Sequence, residues 1–176
     1  MALDVEPTTT GGRWYRHTPA GADPLARPSP PDDNRWQRGH VIDALYLCDT
    51  EDCVWAEWYR HLAERGVPPH TALPRDLWTY KITAVTLADL RTTSGLARVG
   101  LTHPAPGRRD WPAFQAVGEQ LYRDGFTGLI APSAAPPQNL VLCVFLADQR
   151  LPDVATPRHP PRRVRLPPPP PTRMRT

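Results

Sequence analysis

The chain has 176 residues, 40% of them hydrophobic and 22% charged, and no apolar run approaches the length a bilayer requires, which excludes a helical membrane-spanning protein. The net charge of +3 is unevenly placed: Arg158, Arg162, Arg163, Arg165, Arg173 and Arg175 follow the last acidic residue, Asp153, and leave residues 1–154 slightly acidic. That distribution argues against a specific nucleic-acid-binding domain.

In chain order, residues 1–12 form a polar Thr/Gly-rich stretch, expected to be a flexible leader, with no basic region and apolar segment of the kind a signal peptide needs. A cytoplasmic protein is expected. Arg13-Trp14-Tyr15-Arg16-His17 predicts a short aromatic strand, followed by an interrupted Pro-rich loop from Pro19 to Pro31. Strand chemistry returns over Val41–Cys48, and Asp49-Thr50 offers a helix N-cap with Glu51 and Asp52 in the first turn. A helix is predicted over about 51–65, with Val54, Trp55, Trp58, Tyr59 and Leu62 on one arc of roughly 140° and Gly66 and Pro68 ending it.

The run Leu77 to Val85 reads as a long strand, and a loop is expected after it. A second helix is predicted from Trp111 to Asp124, with Phe114, Val117, Gly118 and Leu121 on one side and Gly125 closing it. Gly128–Ala131 and Leu140–Leu146 read as two buried strands flanking Pro132-Ser133-Ala134-Ala135-Pro136-Pro137. Residues 13–154 are therefore expected to form one α+β domain, a mixed β-sheet core with flanking helices, and residues 155–176 a disordered Pro/Arg-rich tail.

Three cysteines, Cys48, Cys53 and Cys143, form no C-x-x-C and cannot all pair, which points to buried thiols rather than a disulfide or zinc framework. The six histidines lack ligand spacing, and no metal site is expected. No P-loop, G-x-G-x-x-G, H-E-x-x-H or G-x-S-x-G is present. Glu57, at about 300° on the first helix, flanks the buried arc and could face a cleft; it equally suits an exposed pair with Arg60 or His61. Taken singly, Arg35 suits a surface arginine beside a half-buried Trp36, Tyr46 a core aromatic and Ser133 a turn hydroxyl.

Together these positions carry more. Arg35-Trp36, then Tyr46-Leu47, then Ala56-Glu57 at equal steps of 11, and a late Ala131-Pro132-Ser133-Ala134, resemble the RES domain family, named for its Arg, Glu and Ser. Tyr15-Arg16 and Gln115-Ala116-Val117-Gly118-Glu119 extend the resemblance over about residues 13–154, although Asn34-Arg35-Trp36-Gln37 stands where the family usually reads Gly-Arg-Trp-Asn. The resemblance implies an ADP-ribosyltransferase-like fold and an enzyme that consumes NAD as its substrate, with no resident cofactor. It further implies a toxin paired with a DNA-binding antitoxin that covers the site, and inorganic phosphate as the co-substrate where cleavage is phosphorolytic. On that basis Glu57, Arg35 and Ser133 are the expected catalytic residues, and Arg16, Arg35, Tyr46 and Ser133 the expected NAD contacts. Arginine's planar fork suits the diphosphate, Tyr46 the nicotinamide ring, and the Glu57 carboxylate the positive charge that develops on the ribose. An ADP-ribosyltransferase acting on a protein acceptor and a non-catalytic interaction module remain alternatives, and a homo-oligomer stays open beside the antitoxin.

Overall fold

A computed structural model describes residues 2–136, 138–146 and 151–174. Among the described residues six strands are found: β1 (Pro7–Pro19), β2 (Ala44–Cys48), β3 (Arg75–Asp89), β4 (Gly128–Pro132), β5 (Leu140–Phe145) and β6 (Ala155–Val164). The main helices are α1 (Glu51–Arg65), α2 (Thr93–Arg98) and α3 (Trp111–Arg123), with a final turn, α4 (Leu151–Val154), before β6. The fold is α+β with a mixed sheet: β3 and β4 run parallel and every other pairing is antiparallel.

The sheet bends back on itself. β1 pairs with β3 along its whole length, β3 passes through β4 and β5 to β2, and β2 returns to β1 through the Tyr15–Cys48 pair. The second edge of β3 is shared by β4 at Ala88 and Asp89 and by β6 over Arg75–Ile82. Because side chains alternate across a strand, β2 sends Leu45 and Leu47 to an inner cluster with Trp14, Tyr80, Ile130 and Val144, while Ala44 and Tyr46 face α2 and α3. A third cluster packs Val54, Trp55, Trp58 and Leu62 of α1 against Cys48, Leu77 and Val164.

Local chemistry explains the helices. The Thr50 hydroxyl accepts from the Cys53 N–H, Glu51 and Asp52 sit in the first turn, and Gly66 ends α1 in the left-handed region at φ 64°, where a side chain would be strained. The loop expected after β3 contains α2, six residues long and capped by Thr92; its short Thr-Ser-Gly start hid it from periodicity.

Two expectations are corrected. The leader is not loose from residue 7 onward: Thr8, Thr9 and Thr10 pair with Leu87, Thr86 and Val85, and Leu3 and Val5 pack on the core. β-branched threonines suit a strand, and composition weighed them only as polar. The tail is likewise structured, since β6 pairs with β3 and buries Ala155 and Val164. Its prolines are tolerated on an edge strand, and the register shift between Leu77–Arg162 and Thr79–Arg158 leaves His159-Pro160-Pro161 out of the ladder. Arg163 grips buried Asp76 with two bonds of 2.8 and 2.9 Å, and the Tyr59 hydroxyl donates to Pro168 O at 2.5 Å. Of the residues singled out in the sequence, Pro137 and Arg175 lie outside the described ones.

Candidate functional site

A cavity of about 370 Å³ opens between α1, β1, β2 and the Pro-rich loop, within the size range of small-molecule sites. Arg16, Arg35, Tyr46 and Glu57 line it, so the structure brings four of the five expected residues together around one space. Ser133 lies behind the wall: it is fully buried, while its neighbours Pro132 and Ala134 reach the cavity.

Glu57 is the centre of the arrangement. Its Oε1 accepts a 2.5 Å bond from the Ser133 hydroxyl and a longer one, 3.4 Å, from Ala135 N–H; its Oε2 accepts two from Arg60, at 2.9 and 2.8 Å. Burial opposes ionisation of this carboxyl, but the Arg60 guanidinium and the Ser133 hydroxyl outweigh it and hold its pKa below the ordinary value. The i,i+3 pairing with Arg60 foreseen in the sequence is therefore present, although as a mostly buried pair: the side chains are 17% and 5% exposed. Ser133 touches the carboxylate rather than the cavity.

Arg35 sits on a turn closed by the Asn34–Gln37 backbone bonds and is 8% exposed. Its Nη2 donates to Ala105 O at 2.5 Å and Gly107 O at 3.3 Å, its guanidinium lies 5.1 Å from the Phe114 ring centre, and its buried Nη1 has no hydrogen-bond partner among the described residues. Burial, with the neighbouring Arg60 charge, lowers its pKa to about 10. A buried guanidinium nitrogen left unbonded beside a cavity is suited to an anion.

The Gln-Ala-Val-Gly-Glu segment of α3 now has a physical role. Gln115 Nε2 donates to Asn34 O at 3.0 Å and Gln37 O at 3.2 Å, and Glu119 takes two bonds from Arg38. A Cβ on Gly118 would stand 2.1 Å from Trp36 O, so only glycine lets α3 approach the Arg35 turn. The Tyr46 hydroxyl accepts from Trp36 N–H at 3.3 Å on the other side, and burial raises its pKa well above the usual value. Arg16 is anchored to Pro24 O at 2.9 Å and Ala26 O at 3.1 Å, which fastens the Pro-rich loop as a cavity wall.

Sequence reasoning passed over Arg60, His61 and Trp58 as site residues, although the i+3 and i+4 offsets from Glu57 place the first two beside it. His61 Nε2 lies 3.1 Å from Arg60 Nη2, and burial together with that charge lowers its pKa to about 4, so the imidazole is neutral near pH 7. His17 stacks on Trp55 at 5.6 Å, and Arg75 lies 2.7 Å from its Nδ1; burial and Arg75 push its pKa well below normal. All three cysteines are free and buried. No cluster of three metal-ligating side chains is found, and no helix is long and apolar enough to cross a membrane, among the described residues.

Comparison with curated proteins finds no match. Among solved structures, a chain of the M. tuberculosis MbcT-MbcA toxin-antitoxin complex superposes with a TM-score of 0.73, covering 90% of this chain and 85% of its own at 23% identity, a likeness of fold. The RES domain matches residues 9–168, which takes in the β1 residues beyond Thr8 and all of β6, and this chain belongs to the RES domain family.

Proposed function

We propose that this protein degrades NAD by cleaving the bond between nicotinamide and ribose, with inorganic phosphate as acceptor, and that it acts as the toxin of a toxin–antitoxin pair. The observation that carries the reading is the pairing of an ionised, doubly anchored Glu57 carboxylate with Arg35, a buried arginine with an unbonded nitrogen, on the walls of one cavity. Membership of the RES domain family and the likeness to a chain solved in a toxin–antitoxin complex support it.

The chemistry follows from charge. As the C1′–N bond breaks, its electron pair leaves with nicotinamide, which departs neutral and needs no proton, and positive charge grows on the ribose. A carboxylate fixed beside that carbon stabilises the charge, and a preorganised one avoids reorganisation in the transition state. Ser133 and Arg60 fill the remaining lone pairs of Glu57 and hold it in one orientation. Arg35 Nη1 takes an oxygen of the substrate diphosphate or of the incoming phosphate, whose own oxygen then bonds to C1′ with loss of a proton. Tyr46 supplies an apolar ring to the cavity wall, and Arg16 holds the loop that closes it. An antitoxin would cover the cavity mouth, and both partners would work in the cytoplasm.

The test is to incubate purified protein with NAD, with and without inorganic phosphate, and resolve the products by chromatography with mass detection. Nicotinamide and ADP-ribose phosphate formed only with phosphate, and lost in Glu57→Ala, is the expected result. Free ADP-ribose in both samples would mean hydrolysis, label transferred to protein would mean an ADP-ribosyltransferase, and intact NAD from folded protein would refute NAD degradation.

A further inference from the structure

Arg60 and Glu64 join the two charged groups of the site by one continuous set of bonds. Arg60 is 4% exposed on α1. Its Nε and Nη2 donate to Glu57 Oε2, its Nη1 donates to Glu64 Oε1, and that same Glu64 oxygen accepts from Gly107 N–H at 3.1 Å. Gly107 O and Ala105 O are the two acceptors that hold Arg35 Nη2. The path runs from Ser133 through Glu57, Arg60 and Glu64 to the 105–107 segment and so to Arg35.

The need for such a tie lies in the segment itself. Residues 101–110 carry no helix or strand, and Gly107 adopts φ +85°, which only glycine takes without strain. Carbonyls on irregular backbone fix an arginine only as well as that backbone is fixed. The two arginines and two glutamates also balance in charge, which offsets the burial of Arg35, Arg60 and Glu57, while Glu64 closes the path from the exposed side.

We infer that Arg60 and Glu64 are positioning residues, which hold the Glu57 carboxylate and the Arg35 guanidinium at a set separation across the cavity. The inference rests on the function proposed above. Glu57 is faced by Arg60 and His61 of α1, by Arg35, by the Cys48 thiol at the end of β2, and by the Ser133 hydroxyl and Ala135 N–H after β4. Of these, Arg60 is the partner that most favours the ionised carboxylate, against its burial.

The variants separate the two ends of the path. Glu64→Ala releases Gly107 and one arm of Arg60, and is expected to raise the KM for phosphate or NAD about tenfold or more through Arg35, with a smaller loss of kcat and its acidic limb near wild type. Arg60→Met removes the charge opposite Glu57 and is expected to lower kcat at least a hundredfold and move its acidic limb to higher pH. Arg60→Lys restores the charge without the fork of donors, so the limb returns toward wild type while kcat stays depressed. Should Arg60→Met fail to fold, Arg60→Lys and Glu64→Ala carry the test: wild-type kcat in the first with wild-type KM values in the second would overturn the inference. Should the wild-type protein leave NAD intact, the proposed function fails, and the path is read directly instead. Carbon NMR titration of Glu57 in Arg60→Lys and amide exchange of Gly107 in Glu64→Ala would then match wild type only if the path positions nothing.

Discussion

Gly118→Ala isolates how α3 places the Arg35 turn, because one methyl group is added and no functional group is touched. The new Cβ would lie 2.1 Å from Trp36 O and 3.0 Å from Trp36 C, where ordinary contacts begin near 3.4 Å, so helix and turn must separate by about 1 Å. That shift carries the Gln115 bonds at 3.0 and 3.2 Å beyond useful length, and each is worth about 1 kcal/mol. Overpacking adds about 1–3 kcal/mol. Replacing a helix-interior glycine by alanine returns about 1 kcal/mol of helix propensity. The net loss is about 2–4 kcal/mol, or roughly 5–15 °C in Tm for a chain of this size. On the function proposed above, a displacement of about 1 Å at Arg35 should also lower NAD turnover on the order of a hundredfold. Thermal unfolding followed by circular dichroism, beside the NAD assay, measures both. A variant whose Tm rises by the propensity gain, with wild-type turnover, would refute the reasoning.

Two further outcomes concern stability. His61 and His17 have folded pKa values below the free value, His61 at about 4, so the folded state resists protons that the unfolded chain takes up below about pH 6.5. Stability contributed by His61 is therefore present above about pH 6.5 and is lost as pH falls toward 4, by up to about 3 kcal/mol; urea midpoints between pH 7 and 4.5 should drop, and His61→Gln should flatten that slope by about one proton. For the C-terminal strand, Arg163→Met leaves Asp76, 2% exposed, with only the Gly21 N–H of its three described donors. It should lower the urea midpoint with m unchanged, and an unaltered midpoint would mean that the β6 ion pair holds nothing.

The helix α1 was legible because several local signals agreed: the Thr50 cap, the acidic first turn, the apolar arc and Gly66. The strands β4 and β5 showed as apolar runs. β6 was hidden because its contribution is made at an edge and through two buried residues, Ala155 and Val164, within a composition dominated by arginine and proline. In the site, the Arg, Glu and Ser motifs were visible, but the position of Ser133 behind Glu57, rather than in the cavity, depends on how β4 ends against α1, a tertiary fact without a local signal. Gln115 and Gly118 were recognisable as a motif, while their contact with the Arg35 turn lies about 80 residues away in the chain.

The place of β6 in the chain sets an order on biosynthesis. It follows every other element, yet it completes the pairing of Arg75–Ile82 and supplies Val164 to the cluster beneath α1, the helix that carries Glu57. A nascent chain that has made β1 through β5 still has an open edge on β3 and an uncovered patch under Trp55 and Trp58. Long-range pairings of this kind close slowly and late. A product ended by a premature stop before residue 155 would contain all the named site residues without the strand that steadies the helix of Glu57, so translation errors should yield unstable fragments rather than partly working protein.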